Sequence, residues 1–219
     1  MALFEKGLSV HLDSRISTLA QIKARSLGAD TLVLSSLTVL AYAQLEGGVK
    51  DLSVCAISHL NRRNLELGEL APNILNWRNR DELDRLRSKV DFDMIGAPTP
   101  FGGELKRQVS VKQIQKRYEL NQMDWPALKE VYAGFGLDPS GIERFAGTID
   151  GLVEARNEAA HNGTPPKTAA ALMEGQLRDS VGIVEHVLYD ISYRLLTFFS
   201  DQLHLRKTRR SLIPHNGIE

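Results

Sequence analysis

The sequence predicts an all-α protein, a helical bundle with two long helices and several short ones. Apolar residues recur at three- and four-residue intervals through most segments, the spacing of one helix face. The stretch 31–64 stays apolar on every side of a helical wheel, as a central buried helix does. No segment combines sustained period-two alternation with hairpin turns.

The elements follow in chain order. "VHLDSRISTLAQIKARS" sets Leu12, Ile16, Leu19 and Ala20 at helical spacing and predicts an amphipathic helix. The next segment predicts a long helix over roughly 31 to 63, with Gly47 and Gly48 as the place for a kink. In the middle, "NRDELDRLRSKVDF" reads as a short charged helix and "IGAPTPFGGE" as a loop. "DWPALKEVYAGFGL" opens with Asp124 as a cap and Pro126 in the first turn, then stops at glycines. In "SGIERF", Ser140 and Glu143 have the spacing of a capping box. After "GTPP", a hard stop, the pattern predicts a helix from about 168 to 205. The chain reads as a single domain over 1–219 with no internal repeat and a basic tail from about 206.

With 219 residues, 42% of them hydrophobic, the chain is long enough to bury a sizeable core. Its 27 basic and 27 acidic residues cancel, which argues against coating nucleic acid by bulk charge and leaves room for a local basic site. The single cysteine, Cys55, rules out a disulfide within the chain and reads as a small core residue. "MALFEKGLSVHLDSR" lacks the apolar stretch of a secretory signal. The apolar run from Thr31 to Ala43 carries Ser35, Ser36 and Thr38 and is too short to span a bilayer. The expectation is a reduced, cytoplasmic protein without a membrane partner.

The segment "ARNEAAHNG", 155–163, carries the chemistry. With Ile149 as reference, Leu152, Val153 and Ala160 fall within about 60° on a helical wheel, and Arg156 falls about 20° from it, mid-stripe. Asn157 and His161, four apart, share the flank of that stripe. An arginine on a buried side needs a partner or a polar cavity. Two readings fit. In one, Arg156 pairs internally with Glu46 of the long apolar helix and His161 merely closes a helix end. In the other, the three polar residues line a cleft that handles a phosphate: arginine suits bidentate phosphate contact, and histidine suits proton transfer near neutral pH.

Metal and cofactor chemistry find little support. His11, His59, His161, His186, His204 and His215 show no ligand spacing, and one cysteine cannot build a structural zinc site. "FGGE" and "EGGVK" lack the spacing of a phosphate loop, and no nucleophile elbow is present. No cofactor or metal is expected. Arg206, Lys207, Arg209 and Arg210 form either a solvated helix end or an arm contacting phosphates. Trp77 and Trp125 read as packing residues rather than base-stacking platforms.

"RNEAAH" followed by Gly163 resembles the R-N-x-x-x-H motif of the HEPN superfamily, small helical domains that include many metal-independent ribonucleases. "LAYAQLEGGVK" resembles the YA-x-x-EG helix of the RiboL-PSP-HEPN type. The resemblance implies a helical bundle of HEPN type and an endoribonuclease of toxin or antiviral-defence type, working at the cleft of a homodimer. On that reading the site residues are Arg156 for the phosphate, Asn157 for orientation, His161 for proton transfer, and Glu46. Its partners are an RNA substrate and an antitoxin or defence-system protein. The alternatives are a catalytically silent HEPN module that binds a nucleotide or RNA as a sensor or adaptor, and a purely structural helical partner. The intact trio favours the nuclease. Members encoded beside a nucleotidyltransferase often carry a tyrosine two residues after the histidine; Gly163 stands there in this chain, so regulation through that tyrosine is not supported.

Overall fold

The computed structural model of the chain describes residues 1–63, 69–74, 122–161 and 174–205, without the His161 side chain. The described residues include five α-helices over their whole range, α1 Ala2–Arg25, α2 Thr31–Arg62, α3 Trp125–Phe135, α4 Ala146–His161 and α5 Glu174–Ser200, with a 3-10 turn at Glu143–Phe145 and helical residues at 72–74. The described residues contain no strand, only an isolated antiparallel bridge between Leu70 and Leu205. The all-α expectation holds.

Helix α2 is the axis. It packs against α1, α4 and α5, which bury most of its apolar residues, while Leu32, Val33 and Leu40 remain exposed. By length and composition it could also cross a membrane, but these three helices already occupy its buried faces. Asp30 starts it by accepting from the Val33 N–H at 2.9 Å. The helix assignment runs unbroken through Gly47 and Gly48, from Thr31 to Arg62. The glycines provide space. A β-carbon on Gly48 would lie 2.6 Å from Leu188 of α5, and one on Gly47 would meet the Arg15 guanidinium at 2.7 Å. That guanidinium ties α1 to α2 by donating to Gln44 at 3.1 Å and to Asp51 at 2.7 Å.

Helix α1 buries Phe4, Leu8, Leu19 and Ile22, with Leu12 and Ile16 partly buried beside them, whereas Ala20 faces solvent. Helix α3 begins as expected: Asp124 accepts from the Ala127 N–H at 2.9 Å and Pro126 sits in the first turn. It ends at Gly136, whose φ of 67° needs no β-carbon, and the Leu137 N–H reaches back to the Tyr132 carbonyl at 2.8 Å.

Two local expectations fail. Ser140 and Glu143 form no capping box: Ser140 turns back to Asp138, its N–H and its hydroxyl both donating to that carboxylate at 3.0 and 2.6 Å. An Asx turn therefore outcompetes the cap. Helix α5 stops at Ser200 rather than near 205, because Gln202 adopts a left-handed φ of 57° and Leu203 donates back to the Phe198 carbonyl at 2.9 Å. The helical start expected at 168–173 and the charged helix and loop expected between 79 and 104 lie outside the described residues.

A polar clamp fixes α3 against α5. The Tyr132 hydroxyl donates to Asp190 at 2.6 Å, and Arg194 Nε donates to the same oxygen at 2.7 Å. Burial first, and then the bond to Asp190, push the Tyr132 phenol well above its ordinary range.

Candidate functional site

Helix α4 carries the polar motif on its last two turns, and α2 supplies the surface against which it lies. Ile149, Leu152, Val153 and Ala155 are buried, which fixes the rotation of α4. That rotation brings Arg156 onto α2, half-buried, as the mid-stripe position requires, while Ala160 is exposed.

Arg156 meets a ring rather than a carboxylate. Its Cζ sits 4.6 Å from the centroid of Tyr42, and Nη1 donates to Asn157 Oδ1 at 2.7 Å. The expected ion pair with Glu46 does not form. Glu46 Oε1 instead accepts from Lys50 Nζ at 2.6 Å, one turn further along α2. The wheel placed Arg156 on a buried side correctly; the apolar face it meets there is an aromatic π-surface, which attracts a guanidinium without neutralising it. Among the described residues no carboxylate lies within ion-pair distance of Arg156.

Tyr42 is itself fixed. It is 1% exposed, and its hydroxyl oxygen accepts from the Met123 N–H at 2.7 Å, just ahead of α3. Burial raises its phenol above the ordinary value, and the Glu46 carboxylate adds to the rise, while the Met123 bond and the Arg156 charge pull it down. Glu46 and Arg156 therefore both lie within electrostatic reach of one hydroxyl. Sequence reasoning quoted Tyr42 within a motif but gave it no role. The available signal was a tyrosine one turn before Glu46 in an otherwise apolar helix.

Asn157 is half-buried beside Arg156, and because α4 is unbroken, His161 stands one turn beyond it as the last residue of the helix. The His161 side chain lies outside the described residues, as do Arg206, Lys207, Arg209, Arg210, Trp77 and His215. Trp125 is buried at 8% exposure, with Lys129 over its ring, so it packs rather than offering a face to a base. His59, His186 and His204 lie against aromatic rings. Among the described residues no group of three His, Cys, Asp or Glu side chains could hold a metal ion.

Chemically, the arrangement presents a guanidinium with one donor tied to Asn157 and its Cζ over a ring, its other donors without a hydrogen-bond partner among the described residues. The model of the RiboL-PSP-HEPN family matches residues 10–196, a span that includes α2, the motif helix and most of α5. No curated protein and no solved structure gives a significant match.

Proposed function

The chain belongs to the RiboL-PSP-HEPN family, and from that premise we propose that it is a metal-independent endoribonuclease of toxin or antiviral-defence type. The observation that carries the reading is the state of Arg156: aligned by Asn157 and Tyr42, with no carboxylate of the described residues spent on it. A cation held this way suits phosphate better than it suits an internal ion pair.

In the proposed reaction a base takes the proton of an RNA 2′-hydroxyl, and the 2′-oxygen attacks the adjacent phosphorus. The bond from phosphorus to the 5′-oxygen then breaks, and an acid protonates that oxygen. The products are a 2′,3′-cyclic phosphate and a 5′-hydroxyl. His161 is assigned to proton transfer. It closes α4, and protonation of the leaving oxygen is the step assigned to it. Arg156 stabilises the charge on the pentavalent phosphorus, and Asn157 orients it. One motif supplies a single histidine for two proton transfers; a two-fold dimer joining the helix ends supplies the second. Glu46 is assigned to the edge of this site, and Arg206, Lys207, Arg209 and Arg210 to the RNA backbone outside it. Action in the cytoplasm, with an antitoxin or defence-system protein as partner, belongs to the same proposal.

The test is purified protein on a mixed RNA substrate with EDTA present, scored for cyclic phosphate ends. His161→Ala and Arg156→Ala are each expected to lower cleavage by about 100-fold or more while the dimer persists. Cleavage that requires a divalent ion, or that survives both substitutions, would reject the mechanism. A well-folded dimer that cuts no RNA tried points to a silent binding module instead.

A further inference from the structure

We propose that Tyr42 is the positioning residue of this site, holding the Arg156 guanidinium by its ring face so that the cation is aligned yet keeps its full charge. The inference rests on the endoribonuclease reading for its purpose, though not for its geometry.

Three observations carry it. First, the guanidinium lies 4.6 Å from the ring centroid, inside the range over which a ring face attracts a cation. Second, the ring cannot swing away. It is buried within α2, and its hydroxyl is anchored by the Met123 N–H at 2.7 Å, so the backbone before α3 fixes the outer end of the ring. Third, the nearby acid is occupied elsewhere, because Lys50 holds Glu46 at 2.6 Å.

The physical advantage is specific. A carboxylate would orient Arg156 equally well, but it would cancel the charge that a phosphorane needs and compete with the substrate for the same donors. A ring face engages the plane of the guanidinium and leaves its N–H edges free. Asn157 takes one of those edges at 2.7 Å. The other donors of the guanidinium have no hydrogen-bond partner among the described residues, and two contacts restrain the group, which is the kind of preorganisation that transition-state stabilisation requires. Tyr42 touches no substrate in this scheme and acts through Arg156.

The ring's electrons, and not only its bulk, are what matter, and this separates positioning from packing. The test uses the full-length dimer with Tyr42→Phe and with pentafluorophenylalanine incorporated at position 42. The two rings are similar in shape, but fluorination reverses the charge on the face. Both rings lack the hydroxyl and so lose the Met123 anchor alike; relative to Tyr42→Phe, the fluorinated ring is expected to lower kcat by about a further tenfold with KM little changed. Equal kcat for the two rings, or a loss confined to KM, overturns the proposal.

A second measurement does not depend on cleavage. With arginine labelled by nitrogen-15 and carbon-13, the Arg156 side-chain resonances, assigned by their loss in Arg156→Lys, should be displaced upfield by the ring current. They should shift in the fluorinated variant and not in Tyr42→Phe. An undisplaced Arg156 signal in the wild-type protein overturns the positioning role even if RNA is cut. A displaced signal in a protein that cuts no RNA leaves Tyr42 in its role and rejects the nuclease reading alone.

Discussion

The Lys50 ammonium holds the Glu46 carboxylate at 2.6 Å, and Glu46 makes no ion pair with Arg156. Glu46 is one turn from Tyr42 on α2, and its charge reaches the same hydroxyl that feels Arg156. Removing the ammonium is predicted to release Glu46 toward the guanidinium. Lys50→Met should lower RNA cleavage by about tenfold, and adding Glu46→Gln should restore it. Unchanged cleavage in Lys50→Met, or no rescue in the double variant, would show that Glu46 cannot reach Arg156.

Arg156→Lys keeps the charge and discards the planar fork. An ammonium cannot lie flat on the Tyr42 ring while also presenting paired donors. The expectation is a fall in kcat of about 10- to 100-fold, with thermal stability close to wild type. Steady-state kinetics on a short RNA would decide it; near-normal kcat would mean that only a point charge is needed.

His59 makes stability depend on pH. Burial first, and then the neighbouring cations Arg63, the N-terminus and Arg62, lower its pKa to about 4. Its ring lies between Phe4 and Phe199, and Nε2 is buried without a hydrogen-bond partner among the described residues. The unfolded chain binds this proton from about pH 6.5 downward, whereas the folded chain resists it until about 4. The sign is therefore a loss of stability as pH falls from about 6.5 to about 4, levelling off below. His59→Phe, which keeps the ring packing, should flatten that part of the profile in urea unfolding. An equally steep decline in the variant would assign the effect to other groups.

The clamp on Asp190 should be costly to break. Asp190→Ala strands the buried Tyr132 hydroxyl and removes the partner of Arg194. A loss of about 2 kcal/mol is expected from the unsatisfied donor and the broken pair together. Tyr132→Phe, which removes only the buried hydroxyl, should lose less. Chemical denaturation would test the order; equal losses would mean that Arg194 contributes nothing.

Much of this architecture was legible in the residues. The apolar run of α2 announced a helix packed by several others, though Leu32, Val33 and Leu40 stay exposed, and Asp124 with Pro126 marked the start of α3, because a cap is a local device that needs no tertiary partner. The mid-stripe position of Arg156 was equally readable, since periodicity reports which side of a helix is covered. What covers it was not. A wheel drawn on α4 carries no information about the tyrosine face that α2 presents, and the sequence of α2 shows Glu46 as the evident charge partner. Leu205 is buried although the backbone has already left the helix, so at that position the pattern registers burial rather than conformation. Ser140 offered a cap, but Asp138 lay closer to its donors.

The stacking of Arg156 on Tyr42 joins residues separated by more than half the chain. It bears on how such a protein is made. During synthesis α1 and α2 leave the ribosome first and can associate through their own contacts, with Tyr42 already in place. The guanidinium arrives only when α4 has emerged and docked. A growing chain therefore lacks the Arg156–Tyr42 contact until Ala146–His161 has emerged and packed onto α2.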